Sequence, residues 1–414
     1  MKLTFWTDTF RMTRPILSLG LVVAAGLTLS ACIGSSRFGG SSAQPEVGLP
    51  TSAPDIASQE LPPLDGAQSA DGTATQAPQS GKYRVGLILP LSAPGATGQA
   101  GQSLKNAAEM AMEEFQGANI ELVVKDDRGT ADGGREAAKQ AIAEGANAII
   151  GPLLGPSVQA AGAVARASHK PVIAFSTDSG VAGNGVYLLS FMPQSDVDRI
   201  LDYAAAKNKS NIAALIPETA YGSVVNALLQ DGAAKRGIKL LAVERYSVST
   251  AAEATKRIAT LVGQMDALFI AENGDGAENM AKAMQRAGLD KAKVQLMGTS
   301  AWDDPRIYAQ PVFQGGWFPL ADKAGYQAFA QRYRAKYNAE PVRLATLAYD
   351  AVFLANALHG KYADQAFADA NLTSPDGAIG IDGLFRFRAD GTSIRSLLVM
   401  QANKSGPTQI EAAR

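Results

Sequence analysis

The sequence predicts an α/β protein made of two doubly wound units, each a parallel sheet covered by helices. From Lys82 to about Gly406, short apolar and β-branched runs alternate with amphipathic helical segments. This alternation is typical of a parallel sheet with helices on both faces. It starts again after about Ser195. Because this region has roughly 320 residues, it matches two domains of about 150 residues each.

Residues 1–31 are predicted to be a signal peptide. Lys2, Arg11 and Arg14 precede an apolar run at 15–29, which is the basic-then-apolar order of a secretory signal. The run is shorter than the roughly 20 residues of a membrane span, and a weak transmembrane helix is the alternative.

Cys32 is the only cysteine of the chain, so an intramolecular disulfide is excluded. Residues Leu29-Ser30-Ala31-Cys32 resemble a bacterial lipobox. The resemblance implies cleavage before Cys32 and lipidation of its thiol, which would anchor the chain to a membrane. Ile33 follows where some lipoproteins carry aspartate, and this resembles the outer-membrane sorting pattern of Gram-negative lipoproteins.

Residues 33–81 are rich in Ser, Gly, Pro, Ala and Gln and have no hydrophobic periodicity. Together with Cys32 they are predicted to form a lipidated, disordered tether between the membrane and the folded region. The simpler alternative is a spacer without further role.

The first unit is expected to contain four strands and three helices. The strands are predicted at 83–89, 120–125, 148–150 and 172–175, and the helices at 102–115, 133–144 and 157–168. Residues 90–101 are predicted to be a loop because they are rich in Gly, Ser and Pro. Leu104, Ala108 and Ala111 would share one face of the first helix.

The second unit continues the alternation. Its helices are predicted at 197–207, 222–236, 252–262 and 277–288, and its strands at 211–216, 239–246, 267–270 and 294–298. A long helix is expected at about 344–358. Two late strands at 384–387 and 396–401 would be joined by the turn Ala389-Asp390-Gly391.

Composition excludes several classes of function. A net charge of -1 gives no basic surface for nucleic acid, and 46% hydrophobic residues exclude wholesale disorder. One cysteine and two histidines predict no metal site or cofactor. Hydrolase, phosphate-loop and zinc-protease motifs are absent from the sequence, so no enzyme is expected. Asp126-Asp127 is either a carboxylate pair or a turn with a helix-capping role.

Five short segments follow one another in an order that is informative about the fold. They are Val85–Ser92, Asp126-Asp127, Ile149–Pro152, Pro171–Thr177 and Ala220-Tyr221-Gly222. Their order and spacing over residues 82–403 resemble the type I periplasmic binding proteins of the leucine-binding-protein family. Within that fold, the chain is similar to the lipoproteins grouped as penicillin-binding protein activators. Fuller members of that group carry a helical-repeat domain, which residues 33–81 cannot encode.

The resemblance implies two lobes joined by three crossings of the chain, near residues 195, 318 and 375. The first lobe would hold 82–194 and 319–374, the second 195–318 and 375–403, and 404–414 would be a tail. A small-molecule ligand would bind between the lobes, at the carboxyl ends of the strands, and the lobes would close on it.

The resemblance also implies seven ligand-binding residues: Ser92, Ser157, Ser176, Thr177, Tyr221, Asn273 and Trp302. Alternatively, Ser157 and Ser176 cap helices, Tyr221 lies in a surface loop, and Trp302 packs in the core. Amino-acid binders of this family carry an acidic residue where this chain has Thr299–Trp302. Asp303 and Asp304 follow and are candidates to replace it.

Two functions are therefore expected as alternatives. The first is a periplasmic lipoprotein that binds an amino acid or a similar small polar ligand and delivers it to an ABC transporter permease. The second is an activator lipoprotein that contacts a cell-wall synthase and regulates peptidoglycan synthesis.

Overall fold

The computed structural model describes residues 83–115, 119–289 and 292–414. The first lobe is built on a sheet of five parallel strands in the order β2-β1-β3-β4-β5. The strands are β1 (Tyr83–Leu89), β2 (Ile120–Asp126), β3 (Ala148–Ile150), β4 (Val172–Ala174) and β5 (Val186–Leu188). The sequence did not predict β5, which has three residues.

Helices α1 (Gly95–Glu114), α2 (Ala131–Ala143) and α3 (Gly155–Ala167) connect these strands. The predicted loop at 90–101 is wrong in its second half, since α1 begins at Gly95. Glycines permit this early start by letting the helix lie directly on the preceding turn. A Cβ on Gly98 would lie 2.0 Å from the Ala93 carbonyl oxygen, and one on Gly101 would lie 2.7 Å from that of Pro90.

The second lobe begins with five parallel strands. They are β6 (Asn211–Pro217), β7 (Lys239–Tyr246), β8 (Ala267–Ile270), β9 (Gln295–Met297) and β10 (Trp317–Leu320). Its helices are α4 (Pro193–Ala206), α5 (Ala220–Lys235), α6 (Ala251–Ala259), α7 (Ala277–Arg286) and the short α8 (Pro305–Tyr308). The predicted strands and helices of this unit agree with the structure to within a few residues.

The chain then returns to the first lobe through α9 (Lys323–Tyr337), α10 (Ala345–Tyr362) and α11 (Asp369–Leu372). Phe329, Tyr333 and Val352 share one buried core with Leu87 and Leu104. The sequence did not predict α9, whose apolar residues are alanine, tyrosine and phenylalanine.

A small antiparallel sheet follows, made of β11 (Ala378–Gly380), β12 (Gly383–Phe387) and β13 (Ser393–Arg395). The turn at 389–391 therefore leads from β12 into β13, and not into a strand at 396–401 as predicted. Phe385 and Phe387 are buried in the core of the first lobe. The third crossing consequently lies beyond Arg395, whereas the sequence placed it near residue 375.

Strands β14 (Leu398–Gln401) and β15 (Thr408–Glu411) complete the second sheet, in the order β15-β14-β10-β9-β8-β6-β7. β14 is antiparallel to β10, and β15 is antiparallel to β14. Residues 404–414, which the sequence assigned to a tail, thus contain an edge strand of this sheet.

Three crossings connect the lobes, between β5 and α4, between β10 and α9, and between β13 and β14. Hydrogen bonds tie the first crossing to the third. The Arg395 backbone N–H donates to the Ser195 hydroxyl at 3.2 Å, and Arg199 Nε donates to the Leu397 carbonyl at 2.7 Å. Both lobes belong to one compact unit of the chain.

In the described part of the chain, no helix has the length and apolar character needed to cross a membrane. The predicted signal peptide, the lipobox with Cys32 and the tether lie outside the described residues.

Candidate ligand-binding site

A cavity of about 550 Å³ lies between the lobes, against the three crossings. We call it the interlobe cavity. The residues that line it are Phe191, Met192, Ser195, Asp196, Asn273, Gly274, Ser300, Ala301, Asp303, Asp304, Arg306, Leu320, Ala321, Arg343, Arg395 and Leu397. Each crossing contributes lining residues: the first from 191–196, the second from 320–321 and the third from 395–397. The volume falls within the range of about 300–1,000 Å³ that small-molecule sites occupy.

One wall of the interlobe cavity is acidic. Asp196 lies in the first turn of α4, and its Oδ2 accepts hydrogen bonds from the Ser300 backbone N–H at 3.0 Å and from the Ser300 hydroxyl at 2.5 Å. Burial raises the pKa of Asp196 to about 6, although the hydrogen bonds from Ser300 oppose the rise. Asp196 can therefore take up a proton just below neutral pH.

Asp303 and Asp304 extend the acidic wall, and both have partners. Asp303 accepts hydrogen bonds from Lys323 Nζ at 2.7 Å and from the Tyr308 hydroxyl at 2.5 Å. Asp304 pairs with Arg306 at 2.7 Å. Both carboxylates line the cavity.

Two arginines, Arg343 and Arg395, also line the cavity, and both lie next to the Phe191 ring. The Arg343 guanidinium lies 4.5 Å from the centre of this ring and pairs with both carboxylate oxygens of Asp382, at 3.0 and 2.5 Å. The Arg395 guanidinium lies 5.1 Å from the same ring centre. Its three nitrogens have no hydrogen-bond partner among the described residues.

Of the seven predicted binding residues, Asn273 lines the interlobe cavity. It follows β8, and its side-chain oxygen accepts a hydrogen bond from the Asp275 backbone N–H at 3.0 Å. Tyr221 lies close behind the acidic wall, where its hydroxyl donates to Thr299 Oγ1 at 2.7 Å, next to Ser300. Burial and the nearby Asp196 charge raise the pKa of Tyr221 above its ordinary range.

The four predicted residues of the first lobe do not line this cavity. Ser157 is fully buried and donates a short hydrogen bond to Asp127 Oδ2, so it does not cap a helix. The Ser176 hydroxyl accepts from the Asp178 backbone N–H at 3.1 Å. The Ser92 backbone N–H donates to Asp126 at 3.3 Å, and Thr177 is exposed. Ser92, Ser176 and Thr177 lie in loops that follow strands of the first sheet, and Ser157 lies in the first turn of α3.

Trp302 has no exposed surface and lies in the core of the second lobe. Its indole packs 5.1 Å from Phe313, and Nε1 donates to the Ile270 carbonyl at 3.1 Å. The indole thus occupies the core-packing position that the sequence allowed as the alternative to stacking on a ligand.

Asp126 and Asp127 shape the turn after β2. Asp126 accepts from the Arg128 backbone N–H at 2.8 Å, and Asp127 accepts from that of Gly129 at 2.9 Å. The cap of α2 is Thr130, not either aspartate. Burial raises the pKa of Asp127 against the opposing hydrogen bond from Ser157. Among the described residues, no group of three or more His, Cys, Asp or Glu side chains is arranged to hold a metal ion.

Sequence reasoning missed four of the residues that give the cavity its charge and shape: Phe191, Asp196, Arg343 and Arg395. For Phe191 and Asp196 the sequence did offer one signal, because it placed a crossing between the lobes near residue 195. Arg343 and Arg395 gave no comparable signal, since only the fold brings them to Phe191.

A family model described as periplasmic binding protein matches residues 82–407, so the chain belongs to the periplasmic binding protein family. Its two α/β lobes have the type I fold of that family. No curated protein matches the sequence.

Solved structures with this fold cover most of the chain at low sequence identity. A protein from Rhodospirillum rubrum assigned to branched-chain amino acid ABC transport superposes with a TM-score of 0.68 at 18% identity, covering 79% of this chain and 99% of its own. The substrate-binding protein LivJ from Streptococcus pneumoniae, in complex with isoleucine, gives 0.53 at 20% identity over 81% and 100%. A solute-binding protein from Rhodopseudomonas palustris, in complex with 3,4-dihydroxybenzoic acid, gives 0.56 at 20% identity over 80% and 98%. At these identities the likeness concerns the fold.

Proposed function

We propose that this chain is an extracytoplasmic solute-binding protein that holds an amino acid or a similar small polar ligand in the interlobe cavity. The observation that carries the proposal is that the carboxylates of Asp196, Asp303 and Asp304 line the same cavity as guanidinium groups, including those of Arg343 and Arg395. An α-amino acid carries the complementary charges, an ammonium and a carboxylate, a few bonds apart.

The position of the cavity supports the same function. Because it touches all three crossings, a ligand there contacts the segments that must bend when the lobes close. A ligand that prefers the closed arrangement would therefore shift the chain toward it. The isoleucine complex of LivJ from Streptococcus pneumoniae supports the ligand class. Family membership supports a place outside the cytoplasm.

The test is titration of the purified full chain with L-amino acids, followed by tryptophan fluorescence and thermal unfolding. Ligand at about 100 times its Kd should add roughly 2.7 kcal/mol to the free energy of unfolding. Asp196→Asn should weaken amino-acid binding, because the ammonium loses a charged partner. Asp231→Asn, on the exposed side of α5, is the matched control. If no amino acid raises the melting temperature, amino-acid binding is wrong.

We further propose that Cys32 is lipidated and that residues 33–81 tether the binding unit to the membrane, within reach of an ABC transporter permease. Cys32→Ser should move the chain from the membrane fraction to the soluble fraction. Unchanged membrane association of this variant would contradict lipid anchoring at Cys32.

A second candidate function is regulation of a cell-wall synthase. It is favoured by Ile33, by the long tether and by Ser157, whose hydroxyl is already bonded to the protein's own Asp127. The hydroxyl that the family resemblance assigns to a ligand carboxylate is thus already hydrogen-bonded within the protein. The full chain should then retain a bifunctional cell-wall synthase in a pull-down experiment. Failure to retain it, with permease and ATPase genes adjacent, favours transport.

A further inference from the structure

Arg395 is a buried cation whose hydrogen-bonding capacity is unused. Its side chain is 7% exposed, and all three guanidinium nitrogens lack a hydrogen-bond partner among the described residues. A guanidinium has five N–H donors and stays charged in proteins. Burying such a charge without hydrogen bonds is costly, so this arrangement favours any anion that can reach it.

The charged groups around Arg395 do not supply those hydrogen bonds. Asp350 and Asp382 attract it and Arg343 repels it. Both oxygens of Asp382 already bond to Arg343. Asp350 keeps one unpartnered oxygen of its own. Phe191 and Phe385 cover the guanidinium with their rings at 5.1 and 5.5 Å.

The place of Arg395 in the fold connects it to the ligand. It ends β13 at the third crossing and lines the interlobe cavity beside Phe191. The other cavity guanidinium groups, of Arg343 and Arg306, are paired with Asp382 and Asp304. Among the cavity cations in the described part of the chain, Arg395 is thus the one whose three guanidinium nitrogens all lack a hydrogen-bond partner.

We propose that Arg395 is the specificity-determining anchor of the interlobe cavity and that it receives the carboxylate of the bound ligand. A carboxylate accepts two parallel N–H donors from a guanidinium. Arg395 lines the cavity, so a rotation of its side chain would turn the guanidinium toward the ligand carboxylate. The inference rests on the proposed solute-binding function, and it places the anionic end of the ligand at the third crossing instead of at the first-lobe hydroxyls.

Matched carboxylate and carboxamide probes test this assignment on the full chain. The pairs are L-leucine with L-leucinamide, and benzoate with benzamide. We expect the wild-type chain to prefer the carboxylate of a pair by about tenfold to a hundredfold, as a charge-assisted hydrogen-bonded pair should give. Arg395→Gln should abolish this preference, so that the carboxylate binds no more tightly than the matching carboxamide. Arg395→Lys, which keeps the charge without the planar fork, should restore part of it.

Arg135→Gln is the matched control, since Arg135 is an exposed arginine of α2 that pairs with Asp132 and does not line the interlobe cavity. It should keep the carboxylate preference. If the wild-type chain binds both members of a pair equally, the assignment of Arg395 is wrong while solute binding stands. If it binds no probe, both the assignment and the proposed function for these ligands are wrong.

Thermal unfolding at pH 5 tests, without any ligand, whether the Arg395 guanidinium is unpaired in the free protein. Asp350 is largely neutral there, because burial raises its pKa to about 7. If the Arg395 guanidinium is unpaired in the free protein, Arg395→Gln should unfold within about 4 °C of the wild type or above it. A fall of more than about 10 °C would show that the protein itself satisfies this guanidinium, and it would overturn the assignment.

Discussion

At the scale of single residues, Asp350 shows how burial controls a charge. It lies on α10 and is 1% exposed, with Oδ1 accepting from the Ile381 backbone N–H at 2.8 Å. A Cβ on Gly380 would lie 2.2 Å from Oδ2, so the backbone covers this oxygen closely. Burial raises the pKa of Asp350 to about 7, and the attraction of Arg395 only reduces the rise. The ionised form is thus disfavoured in the folded chain.

This raised pKa predicts a pH dependence of stability. The folded chain holds a proton on Asp350 between its ordinary pKa of 3.8 and about 7, whereas the unfolded chain has lost it. The contribution of Asp350 is therefore fully present below about pH 4 and is lost as the pH rises through 7. Asp350→Asn should flatten this part of the stability profile and raise the melting temperature at pH 8 by about 2–4 °C.

The measurement is thermal unfolding from pH 4 to pH 8. Asp231→Asn, which changes an exposed carboxylate on α5, should leave the profile as it is. A melting temperature of Asp350→Asn that falls at pH 8 would mean that the ionised carboxylate stabilises the fold.

At the scale of elements, close packing requires a glycine in α1 but not in α10. The two helices pack against each other in the first lobe. Gly98 in α1 is buried, and a Cβ there would lie 2.0 Å from the Ala93 carbonyl oxygen. Gly360 in α10 is exposed, and a Cβ there would meet nothing within 4 Å. Gly98 is thus required by close backbone contact, and Gly360 is not.

The two glycines predict opposite results for the same substitution. Gly360→Ala should stabilise the chain by about 0.5–1 kcal/mol, because alanine loses less conformational entropy in a helix. Gly98→Ala should destabilise it by about 1–3 kcal/mol, because the first turn of α1 must move away from Ala93. Urea unfolding measures both. Equal stabilisation by the two substitutions would show that α1 does not need this close contact.

At the scale of the whole molecule, the last residues of the chain help to hold the second lobe together. Strand β15 pairs with β14 at one edge of the sheet. Arg199 of α4 is 6% exposed and reaches this segment, pairing with Glu411 at 2.8 Å and donating to the Ala412 carbonyl at 2.9 Å. The same side chain holds the Leu397 carbonyl at the third crossing. Arg199 thus joins α4, the crossing and the edge strand.

Removal of residues 404–414 should therefore destabilise the molecule by about 3–5 kcal/mol, since a buried arginine loses its charge partner. A shorter truncation that removes only 413–414 keeps β15 and Ala412 and should have little effect. Thermal unfolding compares the two. Similar melting temperatures for the two truncations would show that β15 adds nothing to the stability of the second lobe.

Most strands and helices could be predicted because the sequence signals for them are local. The apolar runs at Tyr83–Leu89, Lys239–Tyr246 and Ala267–Ile270 are strands over the predicted residues. The missed strands β5 and β10 have three and four residues, and the helix α9, which has 15 residues, was also missed. Such short strands form because a neighbouring strand offers hydrogen bonds, and this neighbour is not visible in the local sequence.

By itself the sequence determined the α/β class, the two-lobed family fold and the alternation of strands and helices, because these follow from periodicity and from the order of short motifs. It also supports the predicted signal peptide and lipidation at Cys32. Only the tertiary structure decided where the third crossing lies and which charges meet in the interlobe cavity. Asp196, Arg343 and Arg395 are far apart in sequence. They share one cavity because three crossings converge there, and no local pattern records that convergence.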